Sequence, residues 1–169
     1  MEKARGISLW IMPTNGSYER LVALIKNLAN KYNGPIFEPH ITLLGDITRS
    51  KEDVITRAIQ LAMLFRPFQI SLQQTSYLDE YFRCIYAIAE SQELIKMNDF
   101  SRRFYYMESG KKFMGHLSLL YGYYTEEMKK EIVKNISVNE IITVEELCVV
   151  DTNGYPEDWK IIRKISLKK

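Results

Sequence analysis

The sequence predicts an α+β fold, or a mixed one, with two antiparallel-rich β-sheets in two related lobes. Segments with the period-two apolar pattern of strands alternate with segments whose apolar residues recur every three to four positions, as on one face of a helix. A short motif of a histidine, an aliphatic residue, a hydroxyl residue and two leucines also occurs twice, at residues 40–44 and 116–120. Such a repeat indicates two lobes of similar construction.

Seven strands and four helices follow from these patterns. The predicted strands are residues 7–12, 36–44, 68–75, 82–89, 114–121, 141–150 and 160–167. The predicted helices are residues 17–31, 51–65, 94–106 and 126–135, with Ser17 and Ser50 as candidate N-caps of the first two. The last two strands are expected to pair as a hairpin across residues 153–156.

Length and composition favour a single domain over residues 1–169. The chain is long enough for one hydrophobic core, and its 46% hydrophobic and 26% charged residues are typical of globular proteins. We expect no membrane segment, because no apolar run reaches the roughly 18 residues that a spanning helix requires. The N-terminus lacks signal-peptide features, so a cytoplasmic or nuclear location is expected. A net charge of +2 does not by itself predict nucleic-acid binding.

Two cysteines and two histidines restrict the possible metal and disulfide chemistry. Cys84 and Cys148 each lie in an apolar, strand-like stretch, which favours buried thiols, with a disulfide as the alternative. Together with the histidines they are too few and too widely spaced for a zinc site. The sequence therefore predicts no metal site.

Both copies of the histidine motif fall on predicted strands. Because side chains alternate between the two faces of a strand, His40 shares a face with Thr42. His116 shares a face with Ser118 in the same way. Each strand thus presents an imidazole beside a hydroxyl group, which is a minimal unit for handling a phosphate. One such motif could merely satisfy a polar position on a sheet, but two copies that use both histidines of the chain favour one shared site.

The residues around the two motifs resemble a known superfamily. The segments FEPHITLL at 37–44 and GHLSLLY at 115–121 are similar to the paired motifs of the two-histidine phosphoesterases. The segments SLWIMP at 8–13 and YFRCIY at 81–86 resemble its plant and yeast branch, the 2′,3′-cyclic nucleotide phosphodiesterases. The resemblance extends over about residues 6–167.

This resemblance implies a bilobal fold in which each lobe has an antiparallel sheet backed by helices. The lobes would be related by a pseudo-twofold axis, with the two histidine strands meeting across a central cleft. It also implies metal-independent hydrolysis of 2′,3′-cyclic phosphates to 2′-phosphates, with no cofactor. The implied substrates are cyclic nucleotides, the ADP-ribose 1″,2″-cyclic phosphate left by tRNA splicing, and RNA 3′ ends. We expect a monomer.

The opening of a cyclic phosphate by water needs one proton removed and one delivered on opposite sides of phosphorus. An imidazole with a pKa near 6.5 can do either near neutral pH. His40 and His116 are therefore the candidate catalytic residues, and which is base and which is acid stays open. Thr42 and Ser118 are candidate ligands of the phosphate oxygens.

Three aromatic residues match substrate-contacting positions of the family. Trp10 matches an aromatic near the nucleobase, with core packing as the alternative. Tyr121 matches another site position, but strict alternation places it on the strand face opposite His116, so a bend before Gly122 is required. Phe82 is similar to a base-contacting aromatic, although core packing also explains it.

The charged residues near the two motifs have more than one interpretation. The basic residues Arg102, Arg103, Lys111 and Lys112 could raise the potential of the cleft or lie on the solvated surface. Glu38 could orient a histidine or face solvent.

Two other functions are also consistent with the motifs: an RNA-processing phosphoesterase acting on 2′-5′ linkages or RNA ends, and a non-catalytic module that binds nucleotides or RNA ends. Two proton-transfer groups argue against the second.

Overall fold

The computed structural model describes residues 1–107 and 112–168, so Lys111 of the basic group lies outside the described residues. The helices are α1 (Asn15–Tyr32), α2 (Lys51–Ala62), α3 (Gln92–Phe104) and α4 (Glu126–Asn135). The strands are β1 (Ile7–Ile11), β2 (Ile41–Ile47), β3 (Phe68–Tyr77), β4 (Ile85–Glu90), β5 (His116–Leu120), β6 (Glu140–Val144), β7 (Glu146–Asp151) and β8 (Lys160–Ser166). Short 3₁₀ turns, Tyr81–Arg83 and Pro156–Asp158, precede β4 and β8.

The described strands form one eight-stranded antiparallel sheet in the order β6-β3-β4-β5-β2-β1-β7-β8. The α+β class is therefore confirmed, whereas the two predicted sheets are joined into one. Within the described residues the join is a single residue pair, Ile41 with Leu117, between the two histidine strands. Each half of the sheet thus contributes its histidine strand to the centre.

The aliphatic residues of the two motifs lie in the main hydrophobic core. Ile41 and Leu43 in β2 are buried, as are Leu117 and Leu119 in β5. The helices pack apolar stripes against the same core, with Leu21 and Leu28 from α1, Val54, Ala58 and Leu61 from α2, Leu94 and Met97 from α3, and Ile132 from α4. Because this burial fixes the orientation of β2 and β5, their other face must carry the histidine motifs.

The prediction of one strand over residues 141–150 is wrong, because the structure has two strands here, separated at Glu145. Its first part, β6, pairs with β3 at one edge of the sheet. Its second part, β7, pairs with β1 and β8 in the other half. The predicted hairpin is confirmed for β7 and β8, and Gly154 in its turn adopts a φ of 111°, which favours glycine.

The start of β2 also differs from the prediction, since the strand begins at Ile41 rather than at residue 36 and continues to Ile47. Pro39 lacks the backbone N–H that a sheet ladder requires, which accounts for the late start. Asp46 near its end adopts a φ of 57°, next to an irregularity in the pairing of β1 with β2.

The two predicted helix caps have different outcomes. Ser50 caps α2 by accepting a hydrogen bond from the backbone N–H of Asp53. Ser17 lies inside α1, which begins after Thr14, and its hydroxyl donates instead to Glu140 at 2.7 Å. A long-range partner at the start of β6 therefore replaces the local cap.

Cys84 and Cys148 are free, buried thiols, which confirms the favoured interpretation. Burial raises the pKa of each to about 11, so both remain protonated at neutral pH. No helix in the described part of the chain is long and apolar enough to cross a membrane.

Candidate active site

One cavity of about 600 Å³ is lined by every residue that the sequence predicted to contact substrate. These residues are Trp10, His40, Thr42, Phe82, His116, Ser118 and Tyr121. The volume lies within the range of about 300 to 1,000 Å³ that is usual for small-molecule sites. The cavity is therefore the candidate active site.

The pairing of β2 with β5 sets the arrangement of the four polar residues. Since the strands are antiparallel and Ile41 is opposite Leu117, moving one residue along each strand places His40 opposite Ser118. The same step in the other direction places Thr42 opposite His116. Each histidine thus lies beside the hydroxyl residue of the other motif. The pair of Ile41 with Leu117 therefore brings all four polar side chains to the same part of the cavity.

Both imidazole rings are held in the same way by the backbone. The Nδ1 atom of His40 lies 2.6 Å from the carbonyl oxygen of Glu38, and that of His116 lies 2.9 Å from the carbonyl oxygen of Met114. A carbonyl only accepts, so Nδ1 donates in both rings and Nε2 is the nitrogen left for substrate. Glu38 therefore orients His40 through its backbone, while its carboxylate accepts a hydrogen bond from the Tyr18 hydroxyl.

The environment of the cleft favours neutral imidazoles. Burial lowers the pKa of His40 to about 4; the Glu38 carbonyl opposes this shift and the nearby His116 adds to it. Burial also lowers the pKa of His116, and the hydrogen bond that its Nδ1 donates to the Met114 carbonyl oxygen opposes this shift. Because a charged ring is disfavoured in such surroundings, a bound phosphate anion would favour protonation of one of the two.

Trp10 forms a wall of the cavity and supports His40 directly. Its indole stacks on the His40 ring with centroids 3.6 Å apart and planes 9° apart. The side chain is only 3% exposed, so both alternatives from the sequence apply in part: Trp10 is packed, and it lines the cleft. The stacking restricts rotation of the His40 ring about its Cβ–Cγ bond.

Tyr121 reaches the cavity because β5 ends one residue before it, at Leu120. Gly122 then adopts a φ of 147°, so the bend required by the sequence is present. The Tyr121 ring stacks on Phe37 at 3.7 Å between centroids. Burial raises the pKa of the Tyr121 hydroxyl, which also interacts with Ser118.

Ser118 links β5 to the 3₁₀ turn that carries Phe82. Its hydroxyl donates to the Phe82 carbonyl oxygen at 2.7 Å. The Phe82 ring lies edge-on to Tyr121, with centroids 5.2 Å apart. Ser118 therefore has a structural partner as well as a place in the cavity.

Trp159 is a cavity residue that the sequence reasoning missed. It directs its ring toward Trp10 at 5.6 Å, Phe82 at 5.9 Å and His40 at 6.1 Å between centroids. Its indole N–H donates to the carbonyl oxygen of Gly154 at 3.3 Å, which anchors it to the β7–β8 turn. The sequence signal was an aromatic residue directly before the strand predicted at residues 160–167.

The basic group divides between the cleft and the surface. Arg102 and Lys112 line the cavity together with the buried Asn98. Arg103 is exposed on α3, with its guanidinium over the ring of Phe100. Across residues 1–107 and 112–168, no group of three or more His, Cys, Asp or Glu side chains is placed to hold a metal ion.

The paired histidines and the fold define a two-histidine phosphoesterase, as the sequence motifs predicted. The profile of the family described as cyclic phosphodiesterase-like protein matches residues 5–167, and the chain belongs to that family. It is 23% identical over 124 residues to a cyclic phosphodiesterase of Arabidopsis thaliana, covering 73% of this chain and 68% of the relative. It is 33% identical over 60 residues to a 2′,3′-cyclic-nucleotide 3′-phosphodiesterase of Kluyveromyces lactis, covering 34% of this chain and 28% of that protein. The protein is thus a phosphodiesterase-like hydrolase.

Solved structures share the fold at low sequence identity. TT0787 of Thermus thermophilus superposes with a TM-score of 0.68 at 18% identity, covering 96% of this chain and 97% of that one. Escherichia coli LigT complexed with 3′-AMP has a TM-score of 0.63 at 14% identity, covering 99% and 100%. Kluyveromyces marxianus Usb1 has a TM-score of 0.55 at 7% identity, covering 98% and 99%.

Proposed function

We propose that the protein hydrolyses 2′,3′-cyclic phosphates to 2′-phosphates without a metal ion, with His40 and His116 as the proton-transfer pair. One observation carries the proposal: two imidazoles, each fixed through Nδ1 to a backbone carbonyl, line one cavity as diagonal neighbours across a single strand pair. The names of the Arabidopsis and Kluyveromyces lactis relatives support the same substrate class.

The reaction uses the two Nε2 atoms on opposite sides of phosphorus. One imidazole accepts a proton from water as the water oxygen attacks phosphorus in line. The bond from phosphorus to the 3′ oxygen breaks, and the second, protonated imidazole donates its proton to that oxygen. The product carries a 2′-phosphate and a free 3′ hydroxyl. Each proton transfer can accelerate the step by roughly 10² to 10⁴-fold.

Thr42 and Ser118 bind the non-bridging phosphate oxygens in this proposal. Each hydroxyl lies opposite the histidine of the other motif, so both can reach a phosphate held between the rings. Ser118 must turn its proton from the Phe82 carbonyl to the phosphate, and the nearby Tyr121 hydroxyl can stabilise the new arrangement. Fixed donors of this kind stabilise the charge that builds on phosphate oxygens in the transition state.

The nucleoside lies at the end of the cleft beyond His40 and Ser118, which we call the aromatic end and define by Phe82, Tyr121 and Trp159. The stacking of Phe37, just before β2, on Tyr121, just after β5, supports this placement. An aromatic platform contributes about 1 to 3 kcal/mol per stacked base. Trp10 contributes mainly by supporting His40, because the imidazole covers one face of its indole.

A second candidate function is action on RNA ends or 2′-5′ linkages. It is favoured by Arg102 and Lys112 in the cavity, since basic side chains suit a substrate with more than one phosphate. A non-catalytic binding role explains less, because binding alone does not require two oriented imidazoles. Further parts of the proposal are a single bilobal domain over residues 1–169, a pseudo-twofold relation between the halves of the sheet, and a monomeric state.

The decisive experiment measures turnover with EDTA present. Adenosine 2′,3′-cyclic phosphate and a 2′-5′-linked oligonucleotide are offered separately, and phosphorus NMR locates the phosphate in the product. We expect hydrolysis of the cyclic phosphate, a 2′-phosphate product and no loss of rate in EDTA. His40→Ala and His116→Ala should abolish turnover while the circular dichroism spectrum stays native. A folded double-histidine variant that works at the wild-type rate would overturn the proposal.

A further inference from the structure

The cleft has a second end, opposite the aromatic end. Beyond Thr42, β2 continues to Asp46, while the chain that leads into His116 arrives from Lys112. Only the pair of Ile41 with Leu117 joins the two strands within the described residues, so they are not paired beyond it. Residues of α3 and of both chain segments line the cavity here, and we call this region the polar end: Asp46, Asn98, Arg102 and Lys112.

A buried amide orients Arg102 at the polar end. Asn98 is 1% exposed and its side-chain N–H donates to the carbonyl oxygen of Leu43 at 2.6 Å. The Asn98 carbonyl oxygen accepts a hydrogen bond from Nε of Arg102 at 3.1 Å. Leu43 directly follows Thr42, so the guanidinium is tied through one buried side chain to the strand that carries the first histidine motif. Asn98 thus uses both ends of its amide to set the position of Arg102.

The described residues of the polar end carry more basic than acidic side chains. Among residues 1–107 and 112–168, those that line this end include the basic Arg102 and Lys112 and the carboxylate of Asp46. Two cations beside one carboxylate favour an anionic ligand, and a guanidinium is well suited to a phosphate.

The connectivity of a nucleotide matches the two ends of the cleft. The base is attached to C1′, next to C2′, whereas the 5′ carbon is attached to C4′, next to C3′. The base and the 5′ carbon therefore leave the ribose on opposite sides of a 2′,3′-cyclic phosphate. When that phosphate lies between the histidines and the base lies at the aromatic end, the 5′ carbon faces the polar end.

We propose that the polar end is a subsite for a phosphate on the 5′ carbon of the substrate ribose, with Arg102 and Lys112 as its ligands and Asn98 as the residue that positions Arg102. The proposal rests on the proposed function, because it takes the histidine pair as the site of the reacting phosphate. Such a 5′ phosphate is present as the phosphodiester of an RNA 3′ end and as the pyrophosphate of a nucleoside 5′-diphosphate.

A matched pair of substrates tests the subsite. Adenosine 2′,3′-cyclic phosphate and its 5′-phosphorylated form differ only in the phosphate at issue. We expect kcat/KM to be at least about 10-fold higher for the 5′-phosphorylated form, since a hydrogen bond to a charged group contributes on this scale. Arg102→Gln should remove most of this preference. Arg103→Gln, which makes the same charge change one residue further along α3, is the control and should keep the preference.

The outcomes separate this proposal from the proposed function. Equal kcat/KM for the two substrates in the wild type, or an equal loss of preference in Arg102→Gln and Arg103→Gln, overturns the subsite. When neither substrate is turned over, the proposed function has failed, and calorimetry tests the subsite by itself. Adenosine 2′,5′-bisphosphate should then bind more tightly than adenosine 2′-phosphate to the wild type, with the advantage lost in Arg102→Gln; equal affinities in the wild type refute it.

Two further substrates identify the source of the 5′ phosphate. A dinucleotide that ends in a 2′,3′-cyclic phosphate represents an RNA end, and an adenosine 5′-diphosphate that carries a 2′,3′-cyclic phosphate represents the small-molecule source. The substrate whose kcat/KM falls more in Arg102→Gln than in Arg103→Gln is the one that uses the subsite.

Discussion

The burial of His40 should make the folded protein less stable as the solution becomes acidic. Its pKa is about 4 in the folded protein and about 6.5 in an unfolded chain. Below pH 6.5 the unfolded chain therefore binds a proton that the folded protein does not, which favours unfolding. From these two pKa values, the contribution of His40 to the free energy of unfolding falls by about 1 kcal/mol at pH 5.5 and by about 3 kcal/mol at pH 4.

Urea unfolding of the wild type and His40→Asn at pH 7.5, 5.5 and 4 measures this contribution. A hydrogen bond from Lys51 lowers the pKa of Asp151. Carboxylates of this kind also contribute less to the stability of the protein in acid, but the loss is the same in both proteins. Asn keeps a donor near the Glu38 carbonyl and does not titrate. Between pH 7.5 and pH 4, the free energy of unfolding should fall by about 3 kcal/mol more for the wild type than for the variant. Identical pH dependence in the two proteins would refute the reasoning.

Four other predictions concern the cleft. Burial lowers the pKa of both imidazoles, so the state with one ring neutral and one protonated is most populated below pH 6.5. The value of kcat/KM should therefore be highest below pH 6.5. A maximum above pH 7.5 would contradict this prediction. Trp10→Leu removes the stack on His40 and should lower kcat more than Trp10→Phe does, in steady-state assays of the cyclic nucleotide. Ser118→Ala leaves the Phe82 carbonyl unpaired and should cost about 1 to 3 kcal/mol in urea unfolding. Thr42→Ala should slow turnover but lower the free energy of unfolding less than Ser118→Ala does. Equal losses in the two variants would argue against a structural role that is specific to Ser118.

Much of the fold could be predicted from local patterns. The helix at Glu126–Asn135 has the predicted bounds, and the Ser50 cap and the β7–β8 hairpin are present, because each depends on neighbouring residues. The single strand predicted over residues 141–150 is wrong for the opposite reason. Its halves pair with strands in different halves of the sheet, and no local pattern specifies that choice.

The candidate site shows the same division. The two histidines and their neighbouring hydroxyl residues could be recognised from the residues alone, since alternation along a strand is a local property and both motifs use the same residue types. That recognition also led to the correct family. Trp159 was missed because its place in the cleft depends on the β7–β8 hairpin folding back toward Trp10.

The residues alone established the class of protein and the polar groups that could act on a phosphate. The tertiary structure decided how those groups meet: the pairing of β2 with β5 places His40 opposite Ser118 and Thr42 opposite His116. It also decided that burial lowers the pKa of both imidazoles, and that an aromatic and a polar region flank them. The physical reason is that strand register and burial arise from contacts between residues far apart in the chain.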